Sequence, residues 1–231
     1  MQFDVLHKKI LFLIMDTTIM KFVSTDALHF FSDNKVLLSL VMGLGLSACC
    51  GFRVFVPLLA ASIASKMGIL HLGEGFQWMS STAALVCFGA ATIFEIGGYY
   101  IPFVDNILDT ITTPASVIAG TLLTASAIIP DLDPMLKWGL GIIVGGGSAG
   151  IIQAGTALTR ATSTATTAGV ANPIVATVEH VLAIVGSIFS IVIPFIIAGI
   201  VCVVIVVMLF FVIRYFKKHI PKTELVPIQK K

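Results

Sequence analysis

An all-α, polytopic membrane fold is what this sequence predicts, and three observations predict it. Of 231 residues, 57% are hydrophobic and only 11% charged, with a mean hydropathy of +1.03. A soluble domain carries about 25% charged residues, because its surface must face water. Windows without a charge recur from Val36 to Phe52, Ser80 to Phe94, Thr110 to Pro130, Trp138 to Thr159 and Val181 to Ile213; about 20 apolar residues are enough to cross the hydrocarbon. Finally, the basic residues gather towards the two ends of the chain.

Six helices are expected, at 36–66, 81–101, 114–130, 136–158, 174–192 and 195–215. The first follows Lys35 and runs to Lys66 with Arg53 inside it. The second stops before Pro102, since a residue preceding proline avoids the helical region. Pro114 fits the first turn of the third, where its missing N–H costs little; that helix, at 17 residues, is about 25 Å long. The fourth is rich in glycine. The fifth has Asn172 as its expected N-cap and Pro173 in its first turn. Val181 to Ile213 would be about 50 Å long as one helix, against a hydrocarbon core of about 30 Å, so Pro194 is read as a tight hairpin before the sixth.

Three regions follow: an amphipathic segment 1–34 lying on the membrane surface, a single transmembrane domain 35–216, and a basic tail 217–231. The patch after Lys8 and Lys9 is too short before Asp16 for a cleavable signal peptide. Six spans place both termini on one side. Lys8, Lys9, Lys21, Lys35, Arg160, Arg214, Lys217, Lys218, Lys222, Lys230 and Lys231 then share that side, against Lys66 and Lys137. The positive-inside rule makes both termini cytoplasmic, in a cell inner (plasma) membrane, with Trp78 and Trp138 at the outer interface.

Ionisable residues within or beside spans mark a functional path by default. Here these are Arg53, Glu95, Asp105, Asp109, Arg160 and Glu179. Two arginines against four carboxylates would attract a cation or keep a carboxyl protonated. In GGYYIPFVDNILDTITTP (97–114), Asp105 and Asp109 share a helix face by their spacing, with Tyr99 and Asn106 nearby. The apolar stripe Phe103, Val104, Ile107, Leu108 and Ile111 fits a re-entrant or interfacial half-helix. From Thr156 to Thr167, seven of twelve residues are Ser or Thr, including Ser163. They read either as a polar linker or as hydroxyls around an ion or an unwound backbone.

Gly145, Gly147 and Gly150 satisfy G-x-G-x-x-G, and Gly146, Ser148 and Gly150 satisfy G-x-S-x-G. An apolar helix precedes both, which excludes the strand context each needs. Gly141/Gly145 and Gly146/Gly150 instead have the spacing that lets helix backbones approach, within the chain or between subunits of a homo-oligomer. His180 is read as a packing residue. Cys49, Cys50, Cys87 and Cys202 lack CxxC spacing or adjacent histidines, so neither disulfides nor a metal site is expected. Two stretches rhyme, GLGLSACCGFRVFVP (43–57) and GGGSAGIIQAGTALTRATS (145–163), each with an arginine and a later glutamate. In six spans these helices run in opposite directions, as an inverted repeat requires.

The blocks ACCGFRVFVPLLA, EIGGYYIPFVDNILDTITTPASVIAGTLL and GGGSAGIIQAGTALTRATSTATTAGVANP resemble an uncharacterised family of bacterial multi-pass inner-membrane proteins, catalogued only as a domain of unknown function. The resemblance spans about Leu37 to Ala198. It implies membrane character and no particular substrate.

The residues themselves point to a transporter or channel for a small solute or ion, cation- or proton-linked. Its pathway would run past Arg53, Glu95, Tyr99, Asp105, Asn106, Asp109, Arg160, Ser163, Asn172 and Glu179. A lipid-handling protein, with arginines on a headgroup phosphate, and a structural subunit are the alternatives. No catalytic constellation appears, no cofactor is implied, and the basic tail suits anionic lipid rather than nucleic acid.

Overall fold

The computed structural model describes residues 34–101, 104–127 and 132–219, which form helices joined by short loops, with no strand among them. The expected amphipathic segment before Asn34 and the tail beyond His219 lie outside the described residues. In chain order the helices are α1 (Asn34–Cys50), α2 (Phe55–Lys66), α3 (Thr82–Gly98), α4 (Val104–Ala127), α5 (Pro134–Leu140), α6 (Gly147–Thr167), α7 (Asn172–Val192) and α8 (Pro194–His219). A π-helical stretch, Gly141–Gly146, joins α5 to α6 without a break, giving one 34-residue rod. Three helical stretches, Ile107–Ala127, Pro134–Thr167 and Asn172–Val192, are long and apolar enough to cross a membrane. The protein is an all-α polytopic membrane protein.

The first expected helix is in fact two. The chain unwinds at Gly51–Val54 and turns back, so that α1 and α2 form a helical hairpin. The contacts fix the directions. α1 runs against α7, with Gly45 beside Ser190 and Gly186 beside Cys49. α2 runs alongside α7, sharing a groove from Val56 and Ile184 to Met67 and Val192. Gly51 permits the turn because a Cβ there would come within 2.6 Å of the Ala149 carbonyl. Hydropathy had merged the two helices because the four residues between them include one charge.

The hairpin divides the bundle into a base end and a tip end. At the base lie Lys66 and the loop 67–81, tied by Gly73 N–H to the Ser126 carbonyl (2.8 Å) and by Phe76 against Trp138 (5.7 Å between rings). At the tip lie the ends of α3, α6 and α8 and the starts of α4 and α7. The described chain therefore starts at the base and finishes at the tip. This departs from six spans with both ends on one side. Among the described residues, Lys35, Lys66 and Lys137 fall towards the base end, and Arg160, Arg214, Lys217 and Lys218 towards the tip end. Charge no longer selects an orientation.

Other expectations are corrected by packing. α4 continues through Pro114, so the third helix is 24 residues long and the segment holding Asp105 and Asp109 is its first two turns, not a separate half-helix. In those turns Asp105 meets Asn172 of α7 and Asp109 faces Arg160 of α6. The Ser/Thr-rich stretch is helical to Thr167. Several of its hydroxyls bond back to carbonyls one turn earlier, Thr159 to Gly155, Thr162 to Leu158 and Thr167 to Ser163, whereas the Ser163 hydroxyl has no such bond. α6 ends where Ala168 and Gly169 both take positive φ.

At Ile193 (φ −132°, ψ 60°) the chain reverses, as the hairpin reading expected. Ser190 before the break and Ile197 after it flank the same glycine, Gly45, and Met208 returns to Gly155. The glycine pairs pack inside the chain. Gly141, Gly145, Gly146 and Gly150 all face α4, where a Cβ on Gly141 would lie 3.0 Å from the Thr121 carbonyl and one on Gly146 2.7 Å from the Thr121 hydroxyl. The two rhyming stretches also pack together, through a 2.8 Å bond between Ser47 and Ser148. They run in the same direction, with Gly51 further on meeting Ile152 and Thr156. An inverted repeat needs opposite directions, so these stretches do not form one.

Candidate functional site

The unwound residues at the hairpin tip carry Arg53, which is only 2% exposed. Its guanidinium is satisfied on every side. Nε donates to His180 Nδ1 (2.6 Å), Nη1 to the Phe52 carbonyl (2.9 Å) and Nη2 to the Ala176 carbonyl (3.4 Å), while Nη2 also lies 2.9 Å from Glu179 Oε2. Because His180 Nδ1 accepts, the imidazole is neutral with its proton on Nε2. α7 supplies three of these four partners, Ala176, Glu179 and His180, which share one face by their i, i+3, i+4 spacing.

Glu179 serves a second arginine. Arg160 of α6 grips it side-on, with Nε 3.3 Å from Oε1 and Nη2 in contact with Oε2. The other edge of Arg160 faces Asp109 of α4 at 3.7 Å, too far for a hydrogen bond. Both guanidinium carbons lie over the Tyr99 ring, 3.7 Å (Arg53) and 4.1 Å (Arg160) from its centroid. Such contacts with the ring quadrupole are worth about 2 kcal/mol when desolvated. The Tyr99 hydroxyl is fixed by Thr112, 3.0 Å away.

The remaining carboxylates have separate tasks. Glu95 of α3 accepts the backbone N–H groups of Val54 (2.7 Å) and Phe55 (3.0 Å), and so closes the N-terminus of α2. A carboxylate there both satisfies orphan donors and complements the helix dipole. Asp105 accepts from Asn172 Nδ2 (3.3 Å), which also bonds Thr164 (3.1 Å). Asn172 is thus not the N-cap of α7, a place taken by Ala171; its side chain ties α4 to α6 and α7 instead.

The expected convergence is present. Arg53, Glu95, Tyr99, Asp105, Asp109, Arg160, Asn172 and Glu179 lie in one network at the tip end. Ser163 is there too, its hydroxyl buried and unpartnered; the side chain of Asn106 lies outside the described residues. The expected open polar cavity is not what they form: the side chains close on each other. Grooves of about 500 and 560 Å³ elsewhere on the bundle have apolar walls. The pooled carboxylate excess also disperses, since Glu95 is held by backbone and Asp105 by Asn172.

Sequence reasoning placed His180 as a packing residue, yet it accepts from Arg53. Its position next to Glu179, inside a span, was the signal. Thr112 and Thr164 carried no signal that distinguishes them from other helical threonines. Three polar atoms of the network stay buried without a hydrogen bond: Arg160 Nη1, Ser163 Oγ and His180 Nε2. Asp109, 24% exposed, is where the network reaches the surface. Among the described residues, no group of three or more His, Cys, Asp or Glu side chains is placed to hold a metal.

No curated protein and no solved structure matches the chain. A family model described as a domain of unknown function (DUF4126) matches residues 40–214. Since that match covers the helical hairpin, the polar network and nearly all of the helical bundle, the chain belongs to the DUF4126 family.

Proposed function

We propose that this protein is a transporter or channel of the cell inner membrane, moving a small solute or ion, and that its pathway is shut here by the Arg53–Glu179–Arg160–Asp109 knot. The observation that carries the reading is the helical hairpin with a charged, unwound tip. Non-helical backbone at membrane depth is tolerated where protein or a water-filled cavity surrounds it, and it recurs in transport pathways. A purely structural brace would pair its buried polar atoms completely, because each unsatisfied one costs about 1–3 kcal/mol. Here the buried Ser163 hydroxyl keeps no hydrogen bond, and Arg160 Nη1 has only its 3.7 Å ion contact with Asp109. Proton linkage is the narrower form of the proposal, since Asp109 connects the surface to Arg160 and Glu179.

Proteoliposomes loaded with a pH-reporting dye test this. With an imposed proton gradient, and a potassium–valinomycin clamp on the membrane potential, vesicles carrying the protein should pass protons faster than protein-free vesicles. Glu179→Gln, which unlocks the tip, should change that rate about tenfold, equivalent to about 1.4 kcal/mol in the barrier. If neither protein passes protons faster than protein-free vesicles, the proton-linked transport reading is withdrawn and the structural one stands.

A further inference from the structure

The groove of about 500 Å³ is separate from the polar network. It runs along the outside of the bundle between α2, α3 and α7, with Val56, Ala60, Met67, Thr92, Ile184 and Ile188 among its walls. Two features define what fits it. From Met67 at the base end to Val56 is eleven residues along α2, about 16 Å at 1.5 Å per residue. That is about half of a 30 Å hydrocarbon core, the depth of one leaflet. With the base end at the membrane interface, the far end of the groove reaches about mid-depth.

The base end of the bundle carries an interfacial set. Trp78 and Trp138 at this end are half-exposed, as in the aromatic belts of membrane proteins. Lys66, next to Met67, gives one of its three donors to Thr82 Oγ1 (2.8 Å), and its ammonium stays at the surface with donors to spare. At mid-depth the Thr92 hydroxyl is buried without a partner, so nothing polar from the protein fills that end.

We propose that this groove binds one acyl chain of an anionic glycerophospholipid, with the headgroup phosphate on Lys66. Lipid tails are as apolar as leucine, so the hydrophobic effect does not favour the groove over the bilayer. Shape supplies the residence, and Lys66 supplies the headgroup preference.

Native mass spectrometry of the full chain, released from micelles doped with equal phosphatidylglycerol and phosphatidylcholine, tests the site. Wild type should retain one lipid and favour phosphatidylglycerol about fivefold, the factor given by about 1 kcal/mol per basic residue at an anionic surface. Ala60→Phe or Ile184→Trp, which fill the groove from opposite walls, should each remove most of the retained lipid. Lys66→Ala should leave one lipid bound without preference. Melting temperature identifies a groove variant that does not fold, and the other then decides. The site is refuted by a wild type that retains no lipid, by retention unchanged in a folded groove variant, or by a preference that survives Lys66→Ala.

Discussion

Replacing Glu179 by alanine is the perturbation with the most to reveal, because one carboxylate neutralises two buried arginines. Without it Arg53 keeps His180 and two backbone carbonyls, whereas Arg160 keeps only Asp109 at 3.7 Å. Two guanidinium groups would then face one tyrosine ring with no charge between them. Breaking a buried pair by removing one partner costs about 3–5 kcal/mol. For a chain of this size 1 kcal/mol moves the melting temperature by about 2–4 °C, so a fall of about 6–20 °C is expected. The unfolding transition of detergent-purified protein, followed through Trp78 and Trp138, measures it. The double variant Arg160→Met/Glu179→Ala removes the stranded charge as well. It should lose less than the two single losses combined, by about 1–3 kcal/mol of coupling. Strict additivity, or a Glu179→Ala protein melting with wild type, would show that the carboxylate does not hold the two arginines.

The hairpin makes a topological prediction: in a background lacking Cys87 and Cys202, Lys35→Cys and Glu74→Cys should react with a membrane-impermeant maleimide from the same side. Labelling from opposite sides would restore a single spanning helix. Glu95→Ala leaves two buried N–H groups of the hairpin tip unsatisfied, at about 1–3 kcal/mol each. Alkylation of Cys50, fully buried in wild type, should become measurable in that variant. At the α4 contact, Gly145→Leu drives a side chain into Gly120 and Thr124 and should abolish the monodisperse folded peak on size exclusion. Gly147→Leu, with nothing within 4 Å of its Cβ position, should elute as wild type does.

The membrane class, the α7–α8 hairpin and the membership of the polar network were legible because each depends on local chemistry. Charge inside an apolar run, proline after a long span and small residues at helical spacing are all visible one segment at a time. The hairpin pair was not legible. Gly51 and Arg53 interrupt a stretch apolar enough for one span, and the groups that hold the turn lie far along the chain, Glu95 and Glu179 being 42 and 126 positions after Arg53. Misreading that element also reversed the expected direction of α1 relative to α6, which the Ser47–Ser148 and Gly51–Ile152 contacts fix. The helical Ser/Thr stretch failed for a different reason. Composition alone does not say whether a hydroxyl will bond solvent or its own helix, and burial of Arg160 against α7 decided it.

The closure of α2 by a carboxylate from α3 sets an order of assembly. When the ribosome has released the first sixty-six residues, the bend between the two hairpin helices has bare amide protons and a cation without a counter-ion. Lipid satisfies neither. Glu95 arrives about thirty residues later and Glu179 only when the seventh helix is made. The hairpin must therefore wait at the interface and seat late, drawn in by segments synthesised after it. Truncation before Asn172 should leave it protease-sensitive from the base side.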